Sequence, residues 1–309
     1  MNIFIAGGSG AIGRQLVPML VRSGHRVVAM TRTPHGAAAL QAMGAKPVIA
    51  DVFDAARLGD LVQRAQPEIV IHQLTAFGST VGDPLQETLR IRTEGTRNLV
   101  AAARRSGARR FIAQSISFIC TPLESGLTDE ETPLYLNAPP AIRPLSQAVA
   151  QLEDQALRAQ GMQGVVLRYG WFYGPGTNYD PEGVIPRAIQ RGRMAIVGAG
   201  NGTYSFVHVH DAAAATLKAL LGAEPGIYNI VDDAPVPLRQ WLPVAAKLLG
   251  GPAPAHMDEA LARHKLGDMM VYIFNEQSGA SNLKAKRALA WEPSIPSWED
   301  GFKRLYAAP

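Results

Sequence analysis

Two groups of residues in this 309-residue chain have types and spacings suited to chemistry. The first is Gly7-Gly8-Ser9-Gly10-Ala11-Ile12-Gly13, directly after the apolar run Ile3-Phe4-Ile5-Ala6. Glycines in this pattern turn the chain sharply and let backbone N–H groups approach a pyrophosphate at the positive end of a helix. The last of them lets that helix pack against the preceding strand. The second group is Thr31-Arg32, at the place where an NAD site carries a carboxylate for the ribose 2′-OH, roughly 20 residues beyond the glycines. A carboxylate would repel a 2′-phosphate, whereas the Arg32 guanidinium, with Arg14 nearby in sequence, can grip one in bidentate fashion. These residues favour NADP(H) over NAD(H); an ordinary surface arginine is the alternative.

The elements that must position them follow a β-α-β schedule of about 30 residues. Ile12, Leu16, Met19 and Leu20 fall on one helical face, Gly24 ends that helix, and Val27–Met30 forms the second strand. Further on, the pattern predicts a short helix over 37–43, a strand over 47–50, a helix over 58–65 and a strand over 68–72. A long helix over 84–106, a strand over 110–115, a helix over 146–160 and a strand over 165–169 follow. Strands alternating with helices predict an α/β fold with a Rossmann-type, doubly wound parallel sheet, whose ligands sit beyond the carboxyl ends of the strands. Asp51 and Val52 fall at such an end and suit an adenine ring; Leu74, Thr75, Ala76 and Ser115 fall at others, as do Tyr169, Gly170, Trp171 and Phe172. After residue 170 the composition turns aromatic and turn-rich. The expected division is therefore a cofactor domain of 1–170 with 206–232, and a smaller C-terminal α/β substrate lobe of 171–205 with 233–309. Asp211 is the expected N-cap of a helix over 211–221 in the cofactor domain; in the lobe, helices are expected near 238–249 and 282–289, and the C-terminus is expected to run out loosely.

Apolar residues make up 47% of the chain and charged residues 18%, enough for a sizeable core. No basic run interleaved with aromatics points to nucleic acid, and no apolar run reaches membrane-spanning length. The single cysteine, Cys120, forbids an internal disulfide and, with no secretion signal at the N-terminus, fits the cytoplasm. His72, His208 and His210 lack metal-ligand spacing, so no metal is expected.

Several motifs stand in order beside the glycine turn: Glu94-Gly95-Thr96-Arg97-Asn98-Leu99, Gln114-Ser115-Ile116-Ser117, Leu167 to Gly176, Phe206 to Asp211, and Asn282 to Trp291. Taken together they resemble the extended short-chain dehydrogenase/reductase superfamily, the NAD-dependent epimerase/dehydratase type, over nearly the whole chain. The resemblance implies a homodimer through the helices 84–106 and 146–160. It also implies a Tyr-x-x-x-Lys pair at the start of the second of these, in which lysine lowers the tyrosine pKa and orients the nicotinamide ribose. Here the register gives Arg143 and Gln147; no lysine occurs between Lys46 and Lys218, and no tyrosine is followed by lysine four residues later. By the same resemblance, Ser115 would hydrogen-bond the reacting oxygen. Tyr169 or Tyr173 could supply the missing proton, and Arg143 could stabilise negative charge from the vacated position. Tyr204-Ser205-Phe206 stands where nucleotide-sugar members carry an arginine, and Phe77, Phe118, Trp171, Phe172, Tyr173 and Tyr204 favour an apolar or aromatic small molecule. The expected activity is NADP(H)-dependent hydride transfer to or from such a substrate. A catalytically silent NADP(H)-binding sensor or accessory protein and, third, a nucleotide-sugar epimerase or dehydratase are the alternatives.

Overall fold

The structure, a computed structural model, describes residues 1–76 and 83–307. Six short apolar strands, β1 (Asn2–Ala6), β2 (Arg26–Thr31), β3 (Lys46–Ile49), β4 (Ile69–His72), β5 (Arg110–Ile116) and β6 (Gln163–Tyr169), join the strand Gly226–Ile230 in one sheet. The spatial order is Gly226–Ile230, β6, β5, β4, β1, β2, β3, with every pairing parallel. Strand order reverses between β1 and β4, and in open parallel sheets that crevice, at the carboxyl ends, is where ligands bind.

Alternate residues of each strand face opposite sides. Ile3, Ile5, Ile71 and Ile112 pack with α1 (Ala11–Arg22) and the helix Val209–Gly222. Phe4, Val70, Phe111 and Ala113 pack with α3 (Ala55–Ala65), α5 (Thr96–Arg105) and α6 (Arg143–Leu157). A short α2 (Pro34–Ala42), capped by the Thr33 hydroxyl, leads into β3. A third core gathers Tyr173, Tyr179, Tyr204, Phe206, Trp241 and Phe302.

The expected elements recur with three informative differences. The long helix is α4 (Pro84–Arg90), a π-helical turn at Ile91–Gly95, and then α5. The helix expected to start at Asp211 starts at Val209, with the His208 imidazole accepting the His210 N–H. Asp211 is no cap, because its carboxylate instead accepts from the Ser294 hydroxyl and the Ser294 and Ile295 backbone N–H groups. The segment before residue 308 does not run out loosely: Trp298–Tyr306 is a helix capped by Ser297, and Trp298 and Phe302, one turn apart, are buried in the third core.

Candidate functional site

The glycine turn is tight on two sides and open on the third. Gly7 adopts φ +91°, and a Cβ there would lie 2.5 Å from the Gln73 carbonyl oxygen; at Gly13 it would lie 2.3 Å from that of Gly8. At Gly10 a Cβ would meet only the Gly7 carbonyl, at 3.3 Å. Gly10 also occupies the N-cap of α1 with no side chain capping it. The Arg14 N–H is bonded to the Gly10 carbonyl, whereas the first-turn N–H groups of Ala11, Ile12 and Gly13 precede that ladder and face outward as an anion-binding end. The Ile12 side chain is in the core, so only its backbone serves the turn. The Ser9 and Thr31 hydroxyls, 3.1 Å apart, tie the turn to the end of β2.

Beyond β2, Arg14 donates to the Ser9 carbonyl (3.0 Å) and Arg32 is ion-paired with Glu87. Asp51 accepts the Phe53 N–H, Val52 is buried against Gly95, and the Arg90 guanidinium lies 3.8 Å over the Phe53 ring. After β4, the Leu74 N–H donates to His72 Nδ1 and the Ala76 N–H to the Thr88 hydroxyl. The glycine turn, Thr31, Arg32, Asp51, Val52, Leu74, Thr75 and Ala76 thus line the carboxyl ends of four adjacent strands.

At the acid–base end the placement differs from expectation. The Ser115 side chain is fully buried and its hydroxyl donates to Glu153 Oε1 (2.7 Å). Glu153 also takes Arg168 in a bidentate pair (2.8 and 2.7 Å), so the serine is held in a structural network and does not face a reacting oxygen. Tyr169 lies in the core between the Gln73 amide and the Thr216 hydroxyl (2.6 Å), and burial pushes its phenol up to about 12. Its oxygen accepts from the Gln73 amide and its proton goes to Thr216, whose own hydroxyl donates to the Ala212 carbonyl. Tyr173 is buried in the third core against Phe206, His208 and Phe302, with its hydroxyl unpartnered and its pKa pushed up by burial. Neither tyrosine is placed as a proton donor. Arg143 is exposed and donates to the Ala138 carbonyl. Gly170 approaches the Ser205 carbonyl so closely that a Cβ would lie 2.1 Å from it; its role is packing. Trp171 stacks on Phe118 at 4.2 Å, Phe172 leans on Tyr169, Tyr204 is core, and Phe77 lies outside the described residues. A cavity of about 780 Å³, lined by Leu123, Leu127, Thr203, Arg239 and Gln277 among others, opens between the segment after β5 and the C-terminal part. No cluster of three metal-ligating side chains occurs among the described residues, and no helix there is long and apolar enough to cross a membrane.

The model of the NAD dependent epimerase/dehydratase family matches residues 3–231. The chain belongs to that family. A 3-diazoavenalumate denitrifying reductase from Streptomyces sp. is 40% identical over 98% of this chain and 100% of its own. A 4-hydroxy-2-methyl-3-oxo-4-farnesyl-3,4-dihydroquinoline-1-oxide ketoreductase from Stigmatella aurantiaca is 26% identical over 94% and 92%. Among solved structures, the UDP-glucose 4-epimerase of Thermotoga maritima, with UDP-glucose, superposes with a TM-score of 0.80 at 23% identity, covering 99% of this chain and 98% of that one. The Thermus thermophilus UDP-glucose 4-epimerase in complex with NAD gives 0.78 at 23% identity over 99% and 98%.

Within this epimerase/dehydratase fold, the α6 face turned toward the sheet carries Leu145, Val149, Leu152, Glu153 and Ala156, whereas Arg143 and Gln147 point to solvent. The inward pair at i, i+4 spacing is therefore Leu145 and Val149, which pack with Ile116, Ile142 and Tyr272. Sequence reasoning missed Glu153 and Arg92, and set His72 aside as no metal ligand without placing it beside them. Each is a polar residue on an otherwise apolar stripe, a signal that was available: Glu153 lies one turn beyond Val149, and Arg92 one turn before Thr96.

Proposed function

We propose that the chain is an NADP(H)-dependent reductase that delivers hydride to a small aromatic acceptor without a Tyr–Lys proton relay. The observation that carries this reading is the coexistence of a complete glycine cradle with an apolar inner face on α6, Leu145 and Val149. When bound, the reduced nicotinamide supplies a hydride, which on a diazo carbon forms the new C–H bond as the C–N bond breaks and dinitrogen leaves with its electron pair. Such a displacement needs no protein acid, and the 40% identical relative is a denitrifying reductase of a diazo compound.

In this reading the first turn of α1 holds the pyrophosphate, Asp51 and Val52 flank the adenine, and Thr31, Arg32 and Arg14 receive the 2′-phosphate. Glu87 releases Arg32 as the phosphate arrives. The Phe118–Trp171 stack, after the ends of β5 and β6, takes the ring of the acceptor. Residues 1–170 with 206–232 form the cofactor unit and 171–205 with 233–309 the substrate lobe; the working form is a cytoplasmic homodimer joined through α5 and α6. The same apolar face also suits a silent NADP(H) sensor. One experiment separates the two: purified protein with C4-deuterated NADPH and an aromatic diazo-oxide, following dinitrogen release and deuterium at the former diazo carbon. Deuterated product is expected. No turnover above the protein-free blank with that acceptor, quinones, aldehydes or imines would overturn the reductase reading.

A further inference from the structure

The fully buried polar cluster behind the strand ends carries more positive than negative charge. Arg92 and Arg168 are 3% exposed and Glu153 4%; the half-buried Glu130 also faces Arg168, whereas Glu153 is the one carboxylate acting on Arg92 among the described residues. That carboxylate already accepts two bonds from Arg168 and one from Ser115. Arg92 Nη1 is buried with no hydrogen-bond partner among the described residues. His72 beside it cannot offset the charge. Its Nδ1 accepts the Leu74 N–H, which leaves the proton on Nε2 facing the Thr96 hydroxyl, and burial together with Arg92 holds it neutral down to about 3. A desolvated, uncompensated guanidinium costs several kcal/mol, at about the scale that a bound anion offsets.

The position of Arg92 says which anion. Thr88, Arg92 and Thr96 follow one another at four-residue spacing. Thr88 fixes the Ala76 N–H, and Thr96 fixes His72 at the end of β4. Arg92 lies between these two anchors, on the π turn that packs against α6, over the carboxyl edge of the sheet where ligands of this architecture bind.

We infer that Arg92 binds an anionic oxygen of the acceptor, of the phenolate or enolate class, and stabilises the charge that hydride delivery leaves there. This rests on the reductase reading and narrows it. The acceptor carries an oxygen conjugated to the carbon being reduced; the hydride pair becomes the new C–H bond, and the product's negative charge rests on that oxygen, which water protonates after release. A fixed buried cation does the work that a proton donor does elsewhere. Acceptors such as diazo-oxides, quinones and quinone methides fit; a free diazonium cation is disfavoured beside it.

The test uses 4-nitrophenol, whose phenolate is yellow, titrated into the full-length protein with NADP⁺ across a pH series. The wild-type protein should lower the apparent pKa of the bound probe by about one unit or more, a tenfold preference for phenolate. Arg92→Met should abolish that shift and Arg92→Lys keep part of it, whereas a purely structural arginine would change thermal stability and leave the probe's ionisation alone. Equal ionisation on wild type and Arg92→Met overturns the inference. So does a wild-type protein that prefers the neutral phenol, a result readable even if Arg92→Met does not fold. NADP⁺ uptake, measured separately, judges the reductase reading, and the titration repeated without nucleotide still decides the role of Arg92.

Discussion

Replacing Glu153 with glutamine tests the account of the buried cluster most directly. The change keeps the side-chain volume and one acceptor oxygen while removing the only carboxylate among Arg92, Arg168 and Ser115. The Arg168–Glu153 pair is bidentate at 2.8 and 2.7 Å, with side chains 4% and 6% exposed, so water cannot take over. Breaking one side of such a pair costs about 3–5 kcal/mol, because the partner charge stays buried and unpaired. Against a total stability of about 5–15 kcal/mol, that loss is large and readily measured by equilibrium urea unfolding at neutral pH. The double change Glu153→Leu with Arg168→Met removes one charge of each sign and should recover to within about 2 kcal/mol of wild type. If Glu153→Gln alone loses less than about 1 kcal/mol, Glu153 is not what neutralises the cluster, and the charge count around Arg92 is wrong.

Other outcomes follow from single contacts. Gly13→Ala should cost more than about 2 kcal/mol because its Cβ meets the Gly8 carbonyl at 2.3 Å. Gly10→Ala should lower the melting temperature far less than Gly13→Ala, since its Cβ meets only the Gly7 carbonyl oxygen, at 3.3 Å, yet weaken NADPH binding about tenfold by calorimetry. Glu87→Gln frees Arg32 and should tighten NADPH binding by about 0.5–1 kcal/mol while leaving NADH unaffected; no change in their ratio would remove Arg32 from the phosphate site. Tyr173→Phe removes a buried hydroxyl without a partner, so neither turnover nor stability should fall, and a large loss of turnover would restore it as a proton donor. Asp232 is 1% exposed and burial pushes its carboxyl up to about 8. The folded state therefore keeps a proton that the unfolded state releases above about pH 4. Stability should fall as pH rises from about 4 to about 8, and Asp232→Asn should flatten that slope in urea titrations.

Much of the fold was legible because its signals are local. The continuous apolar runs of β1, β2, β4 and β5, buried on both faces, and the 3.6-residue period of α1 mark the strands and the helix, and the glycines fix the turn. The candidate site was legible where it rests on backbone, because the glycines from Gly7 to Gly13 fold into the expected tight turn before α1. It was not legible where it rests on which way a side chain turns at a strand end. Ser115 sits where expected along the chain but faces Glu153, a partner 38 residues away. Helix α6 starts at Arg143, three residues before the expected Ser146, with Pro144 in its first turn, and it buries Leu145 and Val149 while Arg143 and Gln147 stay exposed. Tyr169 and Tyr173 flank the correct strand end, yet the hydroxyl of each is spent or sealed within a core that only the tertiary fold defines.

The wide turn at Ile91–Gly95 has a consequence for how this corner tolerates change. A π turn holds one residue more than the α turn it replaces, so removing any one of the five would relax the helix and rotate everything upstream by about 100°. Thr88 would then swing off the Ala76 amide while Thr96 stayed on His72. The phase between the two grips is set by chain length, not by side-chain identity. Substitutions within the turn should accordingly be milder than a single-residue deletion, which would leave every side chain present and the corner misaligned.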